Sequence, residues 1–309
     1  MTFQDVLIQQ VINGVSLGAM YALLALGFTM VYGIIELINF AHFNIFRVGS
    51  FIAMGLLQLV GLTGQKVILT GFPLFAVLMF GLIGTMLISG GIGVLIERLA
   101  LRPLRGVPGT AAMITTIGVS YILFNLILLT VGADAFNFPN PMPNVRWEFG
   151  GVVLQLREVL VWVISILLMG GLHFFVRHTK LGKAMQATAQ DQEAARMMGV
   201  EVDKVVMLAF FLGSALAGAA GLIFGLYYNY TNLAIGYTAG LRAFTAAVLG
   251  GIGNIPGAML GGVIIGLIET LGGQLLEVRW TDVIIFSILV LVLVFRPAGI
   301  LARVTVAKS

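Results

Sequence analysis

The sequence contains no cysteine, which excludes disulfides, thiolate metal sites and a cysteine nucleophile. Histidine is nearly as scarce. His42, His173 and His178 are dispersed along the chain, without the clustered spacing of a catalytic metal site, so neither a metal nor a cofactor is expected. Charge is the third deficit. Charged residues make up 10 % of the chain and hydrophobic residues 59 %, whereas ordinary globular domains carry about 25 % charge. The mean hydropathy is +1.05. A chain this poor in charge does not cover its own surface with polar groups, and the solvent around most of it must be the lipid bilayer. The net charge of +4 comes from loop lysines and arginines and leaves no footprint for nucleic acid. "MTFQD" lacks the basic start of a secretory signal, so the first apolar run is expected to be a mature span.

Glycine is abundant, at 40 residues. In soluble helices that would be a liability; in membrane helices small residues let backbones approach closely. The composition points to an all-α fold, a polytopic transmembrane helix bundle. Runs near the roughly 20 apolar residues that a crossing needs lie at about 7–33, 45–62, 72–96, 110–131, 159–176, 205–230, 257–276 and 281–299. A ninth, at about 238–252, is short and glycine-rich and reads as tilted, broken or re-entrant. About nine spanning or partly spanning segments in one domain, 1–309, are therefore expected. Lysine and arginine collect in "ERLALRPLRG" (Arg98, Arg102, Arg105), in "RHTKLGK" (Arg177, Lys180, Lys183) and at Arg296, Arg303 and Lys308. The positive-inside rule places these three sites in the cytoplasm. The N-terminus then lies outside, the C-terminus inside, and the loop 132–158, with its prolines and aromatics, is external.

The most polar stretch is the cytoplasmic segment at about 178–204. Within it Asp191 suits an N-cap, Glu193 the first turn, Arg196 the last turn and Gly199 the residue just past the helix. A helix of about two turns is unstable alone in water, so it must dock. Ala194 and Ala195 offer a close-approach face, and Met197 and Met198 offer adaptable apolar contacts. Either it engages a soluble partner, or it is a solvated loop helix lying on the lipid headgroups.

Here the sequence resembles a known family. "EAARMMG" has the spacing of the EAA loop of ABC importer permeases: Glu193-Ala194-Ala195, three residues, then Gly199. "NGVSLGAMYALLALGFTMVYGIIELINFAH", "ERLALRPLRG", "TTIGVS", "AQDQEAARMMGVEVDKV" and "AFTAAVLGGIGNIPGAMLGG" follow one another as in branched-chain amino acid ABC transporter permeases of the LivH type. The resemblance runs from about residue 10 to "FRPAGIL". It implies an ABC importer permease of the bacterial inner membrane, paired with a related LivM-type permease, two cytoplasmic ATPase subunits and a periplasmic substrate-binding protein. Asp191, Glu193, Ala194, Ala195, Arg196 and Gly199 would then couple the chain to the ATPases. Leucine, isoleucine and valine are the implied substrates; urea, short amides and other small carboxylates stay open. One departure stands out: after "NFAH" the family continues with glycine and a small uncharged run, whereas this chain has Phe43 and then Arg47. The aromatic implies a looser turn or an altered cavity lining.

The chain offers no ATP chemistry of its own. "KLGKAM" lacks the first glycine and the Ser/Thr of a phosphate-binding loop, and "GGIGNIPG" follows no strand. No enzymatic activity is expected. Charges inside a membrane are functional candidates by default. Arg242 and Glu269 flank the "GIGNIPG" turn at similar depth, near enough to pair, either bordering a translocation path or forming a structural ion pair. Gly251, Gly253 and Pro256 make that turn either a gate or hinge on the translocation path or a close-packing site. Asn39 and His42, at the end of the first hairpin, read as a cap and a carbonyl partner, with a transport role as the alternative. Arg47 is expected to snorkel, and Glu36 to do likewise or pair with it. The competing class is an ion-driven secondary transporter using Arg242, Glu269 or Asp282; the docking segment and the scarcity of membrane carboxylates count against it.

Overall fold

The computed structural model describes residues 2–63, 67–296 and 298–301. Helix α1 (Phe3–Ile35) is followed by α2 (Ala41–Leu59), α3 (Gly71–Ile96) and α4 (Gly109–Thr130). A loop then carries β1 (Phe136–Asn137), β2 (Arg146–Phe149) and β3 (Val152–Gln155). Helices α5 (Leu156–His178), α6 (Lys180–Gln190), α7 (Gln192–Met197) and α8 (Val202–Tyr228) come next, then β4 (Tyr230–Thr231), α9 (Ile235–Gly250), α10 (Ile255–Leu276) and α11 (Thr281–Phe295). The antiparallel pairs β1–β4 and β2–β3 sit at one end of the bundle, and α7 lies at the other. The bundle is helical as expected, but the loop 132–158 is partly strand, which the all-α reading omitted.

From Gly14 onward helix α1 is apolar on every side and almost wholly enclosed, as a central helix must be. Small residues bring its neighbours close. A Cβ on Gly18 would lie 2.7 Å from the Val263 backbone of α10, and one on Gly27 would lie 2.6 Å from the Gly213 carbonyl of α8. Gly266 of α10 meets the Gly14 and Gly18 backbone from the other side. Helices α3, α4, α5 and α11 leave large apolar side chains such as Phe75, Ile114, Ile166 and Val294 exposed, a surface suited to lipid.

Seven helices among the described residues are long and apolar enough to cross a membrane: α1, the α3 helix continued to Leu104, α4, α5, α8, α10 and the α11 helix from Val278. Helices α2 and α9 do not meet that standard. The 16 residues of α9 rise only about 24 Å, short of a hydrocarbon core of about 30 Å. Nor does α2 begin at the end of the first hairpin, where Asn39 and His42 were expected. His42 Nε2 donates to the Leu24 carbonyl at 3.2 Å, about three turns before α1 ends. Helices α2 and α9 run antiparallel and overlap only at their beginnings, Phe43 lying against Gly240 and Arg47 against Gly236.

Two other expectations change here. Phe43 makes no loose turn; it is 6 % exposed within α2 and packs on Phe28 and Gly240. Arg47 does not snorkel, being only 4 % exposed, and it makes no ion pair with Glu36, which ends α1 in the left-handed region at φ 54°. Arg303 and Lys308, used above for orientation, lie outside the described residues.

The glycine contacts give a direct test. Gly266→Val should drive α10 off α1 and lower stability by at least about 2 kcal/mol, read as a lower melting temperature in detergent or failure to accumulate. Gly118→Ala, where a Cβ meets nothing within 4 Å, should leave the melting temperature unchanged or slightly raised.

Candidate functional site

Helix α7 is a six-residue stub. Asp191 caps it by accepting the Glu193 and Ala194 amides, each at 2.9 Å. Gly199 closes it at φ +84°, a conformation glycine adopts without a Cβ penalty. The stub docks within its own chain through Ala195, 4 % exposed, and through Gln192 Nε2, which donates to the Ile34 carbonyl at 2.8 Å. Ala194, Glu193 and Arg196 face outward, and Met197 and Met198 are 81 % and 83 % exposed. The alanine pair thus divides, one residue anchoring the stub and the other lying on its free face.

An ion network that the sequence did not announce stands beside it. Past Gly199, Asp203 in the first turn of α8 accepts from Arg102 Nη2 at 2.6 Å and from Arg105 Nη1. Arg105 also pairs with the buried Glu97, which opens a π-helical turn, Glu97–Leu101, at the end of α3. In the sequence Arg102 and Arg105 read as topology markers and as part of a family motif, with no ion partner. The polar residue closing an apolar run, Glu97, was the available signal.

Arg242 and Glu269 do pair. Two further residues complete the cluster: Tyr21 Oη donates to Glu269 Oε2 at 2.8 Å and accepts from Arg242 Nη1 at 3.1 Å, and Arg242 Nη2 donates to Asp282 Oδ1 at 2.8 Å. Asp282 is 59 % exposed at the side chain, so the cluster runs from the interior to the surface. The Tyr21 hydroxyl was the missed member, one polar group in an unbroken apolar run.

Tyr21 and Arg242 of the cluster line a cavity of about 200 Å³, together with Phe224, Tyr228, Tyr230, Asn232 and Thr238, next to the strand β4. The remaining expected path residues lie elsewhere. Asn39 Oδ1 accepts the Ala41 amide at 3.1 Å, capping α2. Gly251 (φ +103°), Gly253 (φ +87°) and Pro256, in the first turn of α10, lie at the α7 end, where Gly299 packs on Gly251. The seven residues named for the path therefore occupy three places and do not converge. Among the described residues no cluster of three His, Asp or Glu side chains is placed to hold a metal.

Removing one partner of a buried ion pair strands the other, at about 3–5 kcal/mol. Arg242→Met should therefore destabilise strongly, and Arg242→Met with Glu269→Gln should be more stable than Arg242→Met alone. Melting temperatures of wild type, both single variants and the double variant give the coupling.

The family described as branched-chain amino acid transport system / permease component matches residues 10–293. The chain is 40 % identical over 306 residues to the high-affinity branched-chain amino acid transport system permease protein BraD of Pseudomonas aeruginosa, covering 97 % of each chain. Identity and coverage are the same for the permease protein LivH of Escherichia coli K12. A more distant relative is the autoinducer 2 import system permease protein LsrC of Yersinia pseudotuberculosis, 27 % identical over 232 residues, covering 73 % of this chain and 62 % of the relative. No solved structure matches. An ATPase and a substrate-binding protein are the partners such a permease implies, and the apolar helices make it a multi-pass inner-membrane protein. A match over most of the chain and 40 % identity from end to end identify it as a member of the branched-chain amino acid ABC transport permease family.

Proposed function

We propose that this importer permease carries branched-chain or similar small amino acids, and that α7 is where separate ATPase subunits grip it. The supporting observation is the free face of α7: a capped stub held to its own chain by Ala195 and Gln192 while Met197 and Met198 stand more than four-fifths exposed. A methionine pair is a poor headgroup contact but adapts well to a protein groove. In this reading the full assembly has a second, related permease, two ATPases and an external binding protein. The N-terminus and the strand end face the outside, and the α7 end and the C-terminus face the cytoplasm. The cavity above Arg242 then opens outward, where a binding protein releases its cargo, and Arg242, Glu269, Tyr21 and Asp282 border the path. The substrate names are those of the 40 %-identical relatives.

The ion-driven alternative gains nothing from the Arg242 cluster, since both carboxylates there are already held by one guanidinium. Co-purification in mild detergent separates the two. The wild-type chain should bring down ATPase subunits, and Glu193→Arg with Gly199→Trp should lose them while its melting temperature stays near that of the wild type. A wild-type chain that captures no ATPase would count against the ABC assembly.

A further inference from the structure

Arg47 is the charge that the reading above leaves unused. It is 4 % exposed, and no carboxylate among the described residues forms an ion pair with it. Its guanidinium is held in place: Nη1 donates to Asn44 Oδ1, Asn44 in turn donates to the Ser120 carbonyl at 3.0 Å, and the Phe124 ring lies 4.9 Å from its central carbon. Its Nε has no partner. That nitrogen sits against the first turn of α9, 3.0 Å from where a Cβ of Gly236 would lie.

Two helix beginnings meet at this point. Phe43–Arg47 of α2 overlaps Gly236–Gly240 of α9 in antiparallel fashion, so the first turns of the two helices lie side by side, with Phe43, Arg47, Gly236 and Gly240 buried. Each helix N-terminus carries roughly half a positive charge on amides that lack intrahelical partners. Asn232 Oδ1 accepts two of those at α9, from Ala234 and Ile235. The carboxylates that reach α9, Glu269 and Asp282, are engaged by Arg242. Asn39 Oδ1 accepts the Ala41 amide of α2 in the same way, and the Arg47 guanidinium beside these two first turns is left with no anion to answer it. Broken helices whose N-termini meet inside a membrane are a known means of holding anionic substrate groups.

We propose that Arg47 and the facing first turns of α2 and α9 bind the carboxylate of the transported molecule. The proposal rests on the transport reading and narrows it: the substrate bears a carboxylate, and urea and simple amides are excluded. The outward cavity and Arg47 lie on adjacent faces of α9. Ile235, Thr238, Ala239 and Arg242 line the cavity, while Gly236 and Gly240 rest on Arg47 and Phe43. A shift of α9 along its glycine face would open the Arg47 guanidinium to that cavity.

The test uses the assembled importer in detergent, with ligand-induced thermal protection as the readout. Leucine, leucinamide (no carboxylate) and isovalerate (no ammonium) are titrated at matched ionic strength, with sodium chloride as the anion control. Leucine and isovalerate should protect the wild-type complex, and leucinamide and chloride should not. Arg47→Met should weaken both protections by roughly tenfold to a hundredfold, the range for a hydrogen bond to a charged group, and Arg47→Lys should restore part of the loss. Leucinamide acting as well as leucine, chloride acting as well as isovalerate, or Arg47→Met binding leucine with unchanged affinity would each overturn the proposal. If Arg47→Met does not fold, the wild-type ligand series and Arg47→Lys decide. ATPase retention is scored in the same samples: its absence from the wild type refutes the transport assembly, whereas an intact complex blind to the carboxylate refutes this site alone.

Discussion

Lipid tails are as apolar as leucine, so helices in a bilayer gain little by hiding apolar side chains from one another; close packing has to hold them together. In this chain that closeness is centred on α1. Its glycines let α10 and α8 come within backbone contact from different sides, and helices α5 and α9 fill in around it. Several of the candidate sites hang from this core. Tyr21 projects from α1 to the Arg242 cluster, the Leu24 carbonyl fixes the start of α2 through His42, and the Ile34 carbonyl holds Gln192 of the α7 stub.

Charge is placed with similar economy. Glu269 is answered by Arg242 and Tyr21, and Glu97 by Arg105. Desolvated charges without such partners are expensive, which is why the isolation of Arg47 matters. The surrounding structure has fixed that guanidinium with an amide and an aromatic ring, neither of which removes its charge.

Much of this was legible in the sequence where the signal was local. Asp191 and Gly199 marked the ends of α7 because capping chemistry depends on a few neighbouring residues. The Arg242–Glu269 pair was legible because two charges at equal distance from one turn reach the same depth. What was not legible depends on tertiary placement. Residues 36–40 carry too little polarity to reveal that the chain turns back into the bundle before α2 begins. Phe43 looked disruptive because its counterpart, the missing side chain of Gly240, lies almost two hundred positions away. Arg47 looked free to reach the interface because nothing in its neighbourhood in sequence shows that Phe124, Asn44 and Gly236 enclose it. Strand β1 was hidden for the same reason, since it finds its partner only past the end of α8, whereas β2 and β3 form a local hairpin over Gly150 and Gly151 that the reading of the loop passed over.

The bridge from Asp203 to Arg102, Arg105 and Glu97 has a mechanical consequence. A stub joined to a single helix by a short link could twist that helix about its own axis and leave the rest of the bundle at ease. Here the first turn of α8 is pinned to the end of α3 by two guanidinium groups, and farther along the same two helices are notched together where Gly93 admits Ser214 and Gly218 admits Ser89. Under the coupling proposed for α7, torque applied there would reach a pair of rods clamped at two heights. Such a pair resists twisting, so a stroke at the α7 end would become a sideways sweep at the far end.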